Sequence, residues 1–172
     1  MGLTLALDHY PREPDAQATA GSEWPASLID LYRAQYTPMV RLAYLLTGSS
    51  AVAEDVVQEA FIRVRARLGS VDRPVAYLRA AVVNGSRNHH RHVEVERRLA
   101  PLSAAPEGFV DQVDELGDAL ATLPERQRTV LVLRYYQGLS EAEIAAVLDC
   151  RAGTVKSLAH RGLASLRKVI AP

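Results

Sequence analysis

Apolar residues recur at three- and four-residue spacing along most of the chain, and no stretch alternates in the manner of a half-buried strand. The pattern therefore predicts an all-α protein. From Ala26 the residues Leu28, Leu31 and Tyr32 share one face, and Thr37-Pro38 supplies a cap and first position for a second helix that stops at Gly48. The next helix is expected from about Ser50 to Leu68. Glu54 and Asp55 fall near its positive end, Arg63, Arg65 and Arg67 near its negative end, and Gly69 stops it. Asp72 and Pro74 then open a long helix to about Arg98, with Leu78, Val82 and Gly85 at core spacing.

Pro101, Pro106 and Gly108 interrupt the pattern between Leu99 and Phe109, after which Val113, Leu116, Leu120 and Leu123 resume it. The predicted layout is a disordered tail over 1–25, a helical domain over 26–98, a flexible linker over 99–112 and a second helical domain over 113–172. In the second domain a helix starts at Leu123-Pro124 and runs through Val130, Leu131 and Leu133 to Gly138. Ser140 and Glu143 form a capping box for the next helix, whose Ile144, Val147 and Leu148 make one buried stripe. Asp149-Cys150-Arg151 is the short break. A last helix then turns Val155, Leu163 and Leu166 inward and leaves Thr154, Lys156, Ser157, His160 and Arg161 facing out.

That is a helix-turn-helix with a cationic second helix. From Arg151 to the end there are five cations and no acid, which suits displacement of counterions from phosphates. The zero net charge of the 172 residues conceals a segregation. Residues 1–27 hold one cation and four acids, 28–98 eleven and seven, 99–123 none and five, and 124–172 eight and four. Two basic blocks flank an acidic spacer, a layout that suits two DNA-contacting modules better than one uniform globule. With 48% hydrophobic residues the chain has material for real cores. The single cysteine, Cys150, excludes an internal disulfide and a multi-cysteine zinc site and fits a reducing compartment. The start carries no basic leader and no apolar run reaches the roughly 20 residues of a membrane span, so a soluble cytoplasmic protein is expected. Trp24 is the one candidate anchor in the tail, either packed on the first helix or offered to a partner.

Two further constellations stand out. Tyr77, Asn84, Asn88 and Arg91 fall within about 60° of one another around the long helix, near Arg79 and Arg87. Aromatic rings stack on exposed bases, amides pair with base edges and arginines hold the backbone, so this stripe suits opened DNA. His89, His90 and His92 lie beside it, but 89 and 90 point to different faces and nothing completes a tetrahedral set, so no metal and no cofactor is expected. In the preceding helix, Asp55, Gln58, Glu59 and Ile62 share a flank with Phe61 at its edge, offering apolar anchorage beside acceptors for a cationic protein partner. Plain amphipathicity with Phe61 in the core is the competing reading. No nucleophile-base set, phosphate loop or HExxH motif is present, so catalysis is not expected.

The helix-turn-helix alone leaves a dimeric DNA-binding regulator open. Residues 53–91 narrow the choice. AEDVVQEAFIRV at 53–64, RPVAYLRAAVVNGSRNHHR at 73–91, and LPERQRTVLVLRYYQGLSEAEIAAVL with GTVKS together resemble an extracytoplasmic-function sigma factor of bacterial RNA polymerase. The resemblance implies binding to core polymerase and to promoter DNA, with an anti-sigma factor as a further partner. It implies that Asp55, Gln58, Glu59, Phe61 and Ile62 dock on the polymerase clamp helices. Arg67, Asp72 and Arg73 would fall in or beside the loop that captures a flipped base of the minus-ten element, with Tyr77, Asn84, Arg87, Asn88 and Arg91 along the helix that contacts that element. Arg151, Thr154, Lys156, Ser157, His160 and Arg161 would serve the minus-thirty-five element. The chain departs from the family's usual pattern at Arg151-Ala152, where Ser-Glu is common, at Leu158, where Arg is common, and at Gly162-Leu163 in place of Ala-Arg. These departures are expected to weaken the cap of the recognition helix and remove two cations from it. A sequestered or degenerate relative that binds polymerase without selecting promoters is a third possibility.

Overall fold

The computed structural model describes residues 28–99 and 115–170. The tail with Trp24 and the segment from 100 to 114, including Val113, lie outside the described residues. Within them the protein is helical throughout, with α1 Leu28–Thr47, α2 Ser50–Arg67, α3 Pro74–Leu99, α4 Glu115–Ala121, α5 Glu125–Leu131, α6 Glu141–Leu148 and α7 Ala152–Ile170. A 3-10 turn, Leu68–Ser70, follows α2, and a π-helical turn, Val132–Tyr136, continues α5.

The expected break at Thr37-Pro38 is absent, because α1 runs unbroken with Pro38 inside it. A proline there removes one backbone donor and costs about 3 kcal/mol in an isolated helix. Leu31, Met39, Leu42, Ala43 and Leu46 nevertheless bury one continuous face, and each large side chain returns about 1.5–3 kcal/mol. Burial along the whole face thus outweighs the local rule. Gly48, at φ +75, ends the helix as expected, and Tyr32 turns outward from the core at 45% exposure.

α1, α2 and α3 pack on one another around Leu42, Val57, Val64, Leu78 and Val82. The closest approach is at Gly85 of α3, where an added Cβ would stand 2.9 Å from Val56 Cγ1. Core spacing marked Gly85 correctly, and the packing explains why no side chain stands there.

In the C-terminal group α7 lies across α5 and α6, joined by Val130, Leu133, Ile144 and Val155, all fully buried. Leu120 and Leu123 join this core as expected, whereas Leu116 is half exposed to solvent. Pro124 stands just outside α5, its carbonyl accepting from the Gln127 and Arg128 amides, and Gly138 at φ +66 stops the element. The two groups touch: α1 meets α4, α5 and the π-helical turn, and α3 meets α5.

Gly85→Ala is expected to lower stability by about 1–3 kcal/mol, because the added methyl meets a stiff β-branched side chain. Urea denaturation checks it. Gly153→Ala, where nothing lies within 4 Å of the new Cβ, should show no such loss.

Candidate nucleic-acid interface

The C-terminal reader is positioned by its turn. Ser140 caps α6: its hydroxyl accepts from the Glu143 amide at 3.2 Å, and the Glu143 carboxylate accepts from the Ser140 amide at 2.8 Å. The capping box is therefore present in full. These bonds hold the Glu143 carboxyl below the ordinary carboxylate range, the Ser140 hydroxyl contributing most, with Arg79 and Arg73 adding a smaller electrostatic pull. α6 ends on Asp149, which takes the left-handed conformation at φ 49, while the Cys150 amide closes the turn onto the Ala145 carbonyl at 3.0 Å. Aspartate tolerates that conformation better than most residues. The chain is thereby turned into α7, whose first amides bond to the Arg151 carbonyl.

On α7 the residues Val155, Leu158, Ala159 and Gly162 are buried, and Lys156, Ser157, His160 and Arg161 are exposed, with Thr154 half-buried at the edge. Arg151 is exposed in the turn. Ser157 donates to the Gly153 carbonyl at 2.9 Å, and Arg161 Nε to the Ser157 carbonyl at 3.3 Å. Both side chains are steadied against their own helix with the remaining guanidinium nitrogens pointing on. The departures at Leu158 and Gly162 fall on the packed side. An added Cβ at Gly162 would sit 3.0 Å from Leu131 Cδ1, so that position serves close packing of α7 on α5. The outward cationic row is consequently left in place at Lys156, His160 and Arg161, contrary to the expected loss.

On α3, Asn84, Arg87, Asn88 and Arg91 stand at the spacing of one helix face, with Tyr77 nearby, and all but the exposed Arg91 are half-buried. The preceding turn carries Arg67, half-buried, and then Asp72 and Arg73, both exposed; the Ser70 hydroxyl donates to the Arg67 carbonyl at 3.0 Å. Arg87 is engaged by Glu125 of α5 at 3.4 Å, and Arg79 donates to Gln137 at 2.9 Å. His90 bonds to the Leu46 carbonyl at 2.8 Å, and no metal-binding group occurs among the described residues.

On α2, Asp55, Gln58, Glu59 and Ile62 are all exposed, and Glu59 pairs with Arg63 at 3.1 Å. Phe61 is 7% exposed and packs under Tyr32, ring centroids 5.0 Å apart, with Tyr36 stacked on Tyr32 at 4.7 Å. Phe61 thus shapes this surface from beneath, and Ile62, at 55% exposure, is the apolar contact it offers.

Comparison with known proteins agrees in both halves. Residues 31–94 match sigma-70 region 2, and residues 114–166 match sigma-70 region 4. The RNA polymerase sigma-E factor of Streptomyces avermitilis is 35% identical over 146 residues, covering 79% of this chain and 80% of its own. The chain belongs to the extracytoplasmic-function sigma factors of bacterial RNA polymerase. The ECF sigma factor SigL of Mycobacterium tuberculosis is likewise 35% identical, over 150 residues covering 80% of this chain and 85% of its own. In fold it is similar to the sigma factor RpoE of Bartonella quintana, solved with the anti-sigma factor NepR, at TM-score 0.67 and 22% identity over 82% of this chain and 96% of that one. This sigma factor directs RNA polymerase to promoters. No helix among the described residues is long and apolar enough to cross a membrane.

Sequence reasoning overlooked Arg128, Glu125 and Gln137, the side chains through which α5 and the π-helical turn meet the first three helices. Arg128 has one signal in the sequence: a cation four residues before Val132, in line with the apolar stripe.

The capping box gives a pH-dependent prediction. A carboxyl with a depressed folded pKa contributes stability that is present above its unfolded pKa, about 4.3, and is lost as pH falls through the folded value. The stability difference between the native chain and Glu143→Gln should therefore be largest near neutrality and shrink as urea midpoints are followed down to about pH 3. A difference independent of pH would show that the ionised carboxylate is not what holds the cap.

Proposed function

We propose that the two helical groups divide promoter recognition between them, with a domain over about 26–98 and a second over about 113–172. In the first, Asp55, Gln58, Glu59 and Ile62, backed by Phe61, dock on core polymerase. Arg67, Asp72 and Arg73 hold a base flipped from the minus-ten element, and Tyr77, Asn84, Arg87, Asn88 and Arg91 stack on, pair with and neutralise the strand beside it. In the second, Thr154, Lys156, Ser157, His160 and Arg161, with Arg151 at the turn, read the duplex of the minus-thirty-five element in its major groove.

The observation that carries this reading is the α3 face itself. Two amides, two arginines and a tyrosine share one side of a helix whose other sides are packed, which is the chemistry of a platform for unpaired bases. Extracting a base costs a few kcal/mol of stacking, which contacts of this kind offset. The segment between the domains, at about 3.3–3.6 Å per extended residue, is long enough for them to occupy separate DNA sites while polymerase fixes their spacing. The protein acts as a cytoplasmic initiation factor with no catalytic residue of its own, and an anti-sigma factor is a candidate partner.

Run-off transcription with core polymerase across a genomic promoter library should yield transcripts that depend on this chain. No such transcript, together with no binding to core, would overturn the reading. Within it, Asn84→Ala combined with Asn88→Ala should abolish permanganate reactivity of promoter thymines while core binding persists; normal reactivity would remove the amides from the site. Lys156→Ala should reduce the salt slope of upstream-element binding by about one unit if Lys156 meets a phosphate, and an unchanged slope would exclude that contact.

A further inference from the structure

The contacts between the two helical groups fall beside the α3 face. Arg87 sits at the i+3 position from Asn84, about 60° round the helix, and is held by Glu125. Ala80, one turn before Asn84 on the same side, is buried. Arg79, on the neighbouring flank, is held by Gln137. Deeper in the contact, Arg128 donates to the Leu46 carbonyl of α1 at 2.9 Å, an oxygen it shares with His90, and to the Leu123 and Ala121 carbonyls at 3.3 and 3.4 Å.

Arg128 is 9% exposed, and its Nε has no hydrogen-bond partner. Burial pulls its pKa down from the ordinary value, and Glu125 opposes that shift only in part. A guanidinium held chiefly by backbone carbonyls, with one N–H unsatisfied, regains hydration when the contact opens. The contact therefore has the character of a releasable latch rather than of a permanent core.

We propose that the C-terminal domain of this sigma factor closes against α3 through the Arg128 to Leu46, Glu125 to Arg87 and Gln137 to Arg79 contacts, masking the edge of the minus-ten reading face until the domains part. The inference rests on the assignment of α3 to that element. Closure withdraws Arg87 from any phosphate and brings α5 alongside the half-buried Asn84 and Asn88. DNA bound on α3 and the closed arrangement then compete, so that strand binding shifts the population towards the open form.

Arg128 is a poor single probe, since its removal also strips the Leu123 and Ala121 carbonyls and threatens the fold. The exposed end of the contact is the better one. Spin labels on Ala66→Cys of α2 and Ala164→Cys of α7, in a Cys150→Ser background of the full chain, report the interdomain distance by double electron-electron resonance. The unmutated contact should give one short population, Glu125→Arg and Arg87→Glu should each lengthen and broaden it, and the exchanged pair should restore it. Distributions that do not differ, or an exchange that does not restore closure, would overturn the latch whatever α3 binds.

The masking is read with a random-sequence single-stranded 30-nucleotide DNA pool by fluorescence anisotropy. Glu125→Arg should bind it more tightly than the charge-matched control Glu54→Arg, by about tenfold if one molecule in ten is open at rest. Equal affinities would overturn the masking. Absence of binding by either protein would overturn the masking and the minus-ten assignment together, while the distance result would still decide the latch.

Discussion

The carbonyl of Leu46 is the joint on which the arrangement turns. An α-helix leaves its last four carbonyls without partners inside the helix. At the end of α1 the Ala43 carbonyl accepts from the Thr47 hydroxyl, and that of Tyr44 from the Gly48 amide. Leu46 faces away from both, towards α3 and α5, where His90 and Arg128 converge on its two lone pairs. His90 Nε2 must carry its hydrogen there, since a carbonyl only accepts. A cation at the negative end of a helix is favourable in itself, and here it comes from the other half of the chain. One orphaned oxygen thus ties the end of α1 both to the helix that carries the DNA-facing stripe and to the one that leads into the helix-turn-helix.

The two kinds of contact around this joint differ in character. Inside the first three helices the packing is dry and close, with Gly85 admitting Val56 at a separation no side chain would permit. Between the two halves the named contacts are polar: Arg79 with Gln137, Arg87 with Glu125, Arg128 with a carbonyl. Groups of the second kind exchange protein partners for water at little net cost, whereas separating the first kind would expose apolar surface. A sigma factor has to keep each DNA-reading surface rigid while letting the distance between them change, and the division of dry and polar contacts matches that requirement.

Most helices were legible from spacing, because burial of one face imposes its period on the residues whatever the partner. The capping box was legible for a similar reason: donor and acceptor lie three residues apart, and Ser140 and Glu143 need nothing distant to meet. Pro38 misled, since a local steric rule was overridden by five buried residues spread along the whole of α1. Arg128 was illegible, as its partner is 82 residues away and a cation in a helix reads by default as surface. The α3 stripe lay between these cases. Its common face follows from helical geometry alone, but the occupation of Arg87 by Glu125 depends on a second domain that no periodicity places. Leu158 and Gly162 were misjudged because comparison with the family's usual residues speaks of charge, while their burial against α5 decides what they do.

The π-helical turn explains why the contact falls where it does. The Gln137 amide reaches back five residues to the Val132 carbonyl, so one extra residue is wound into the helix before Gly138 stops it. Each residue turns a helix by about 100°, and an insertion of one therefore re-aims everything after it by nearly a third of a turn. After that rotation Gln137 faces Arg79 of α3, while Tyr135 and Tyr136 remain at 62% and 41% exposure. Arg134, within the turn, is fixed to Glu141 at 2.7 Å, the first residue of α6. Regular winding would direct Gln137 elsewhere and leave Arg79 without that acceptor. The irregularity thus sets, in one place, the side chain that meets the first domain and the anchor that holds the start of the helix-turn-helix.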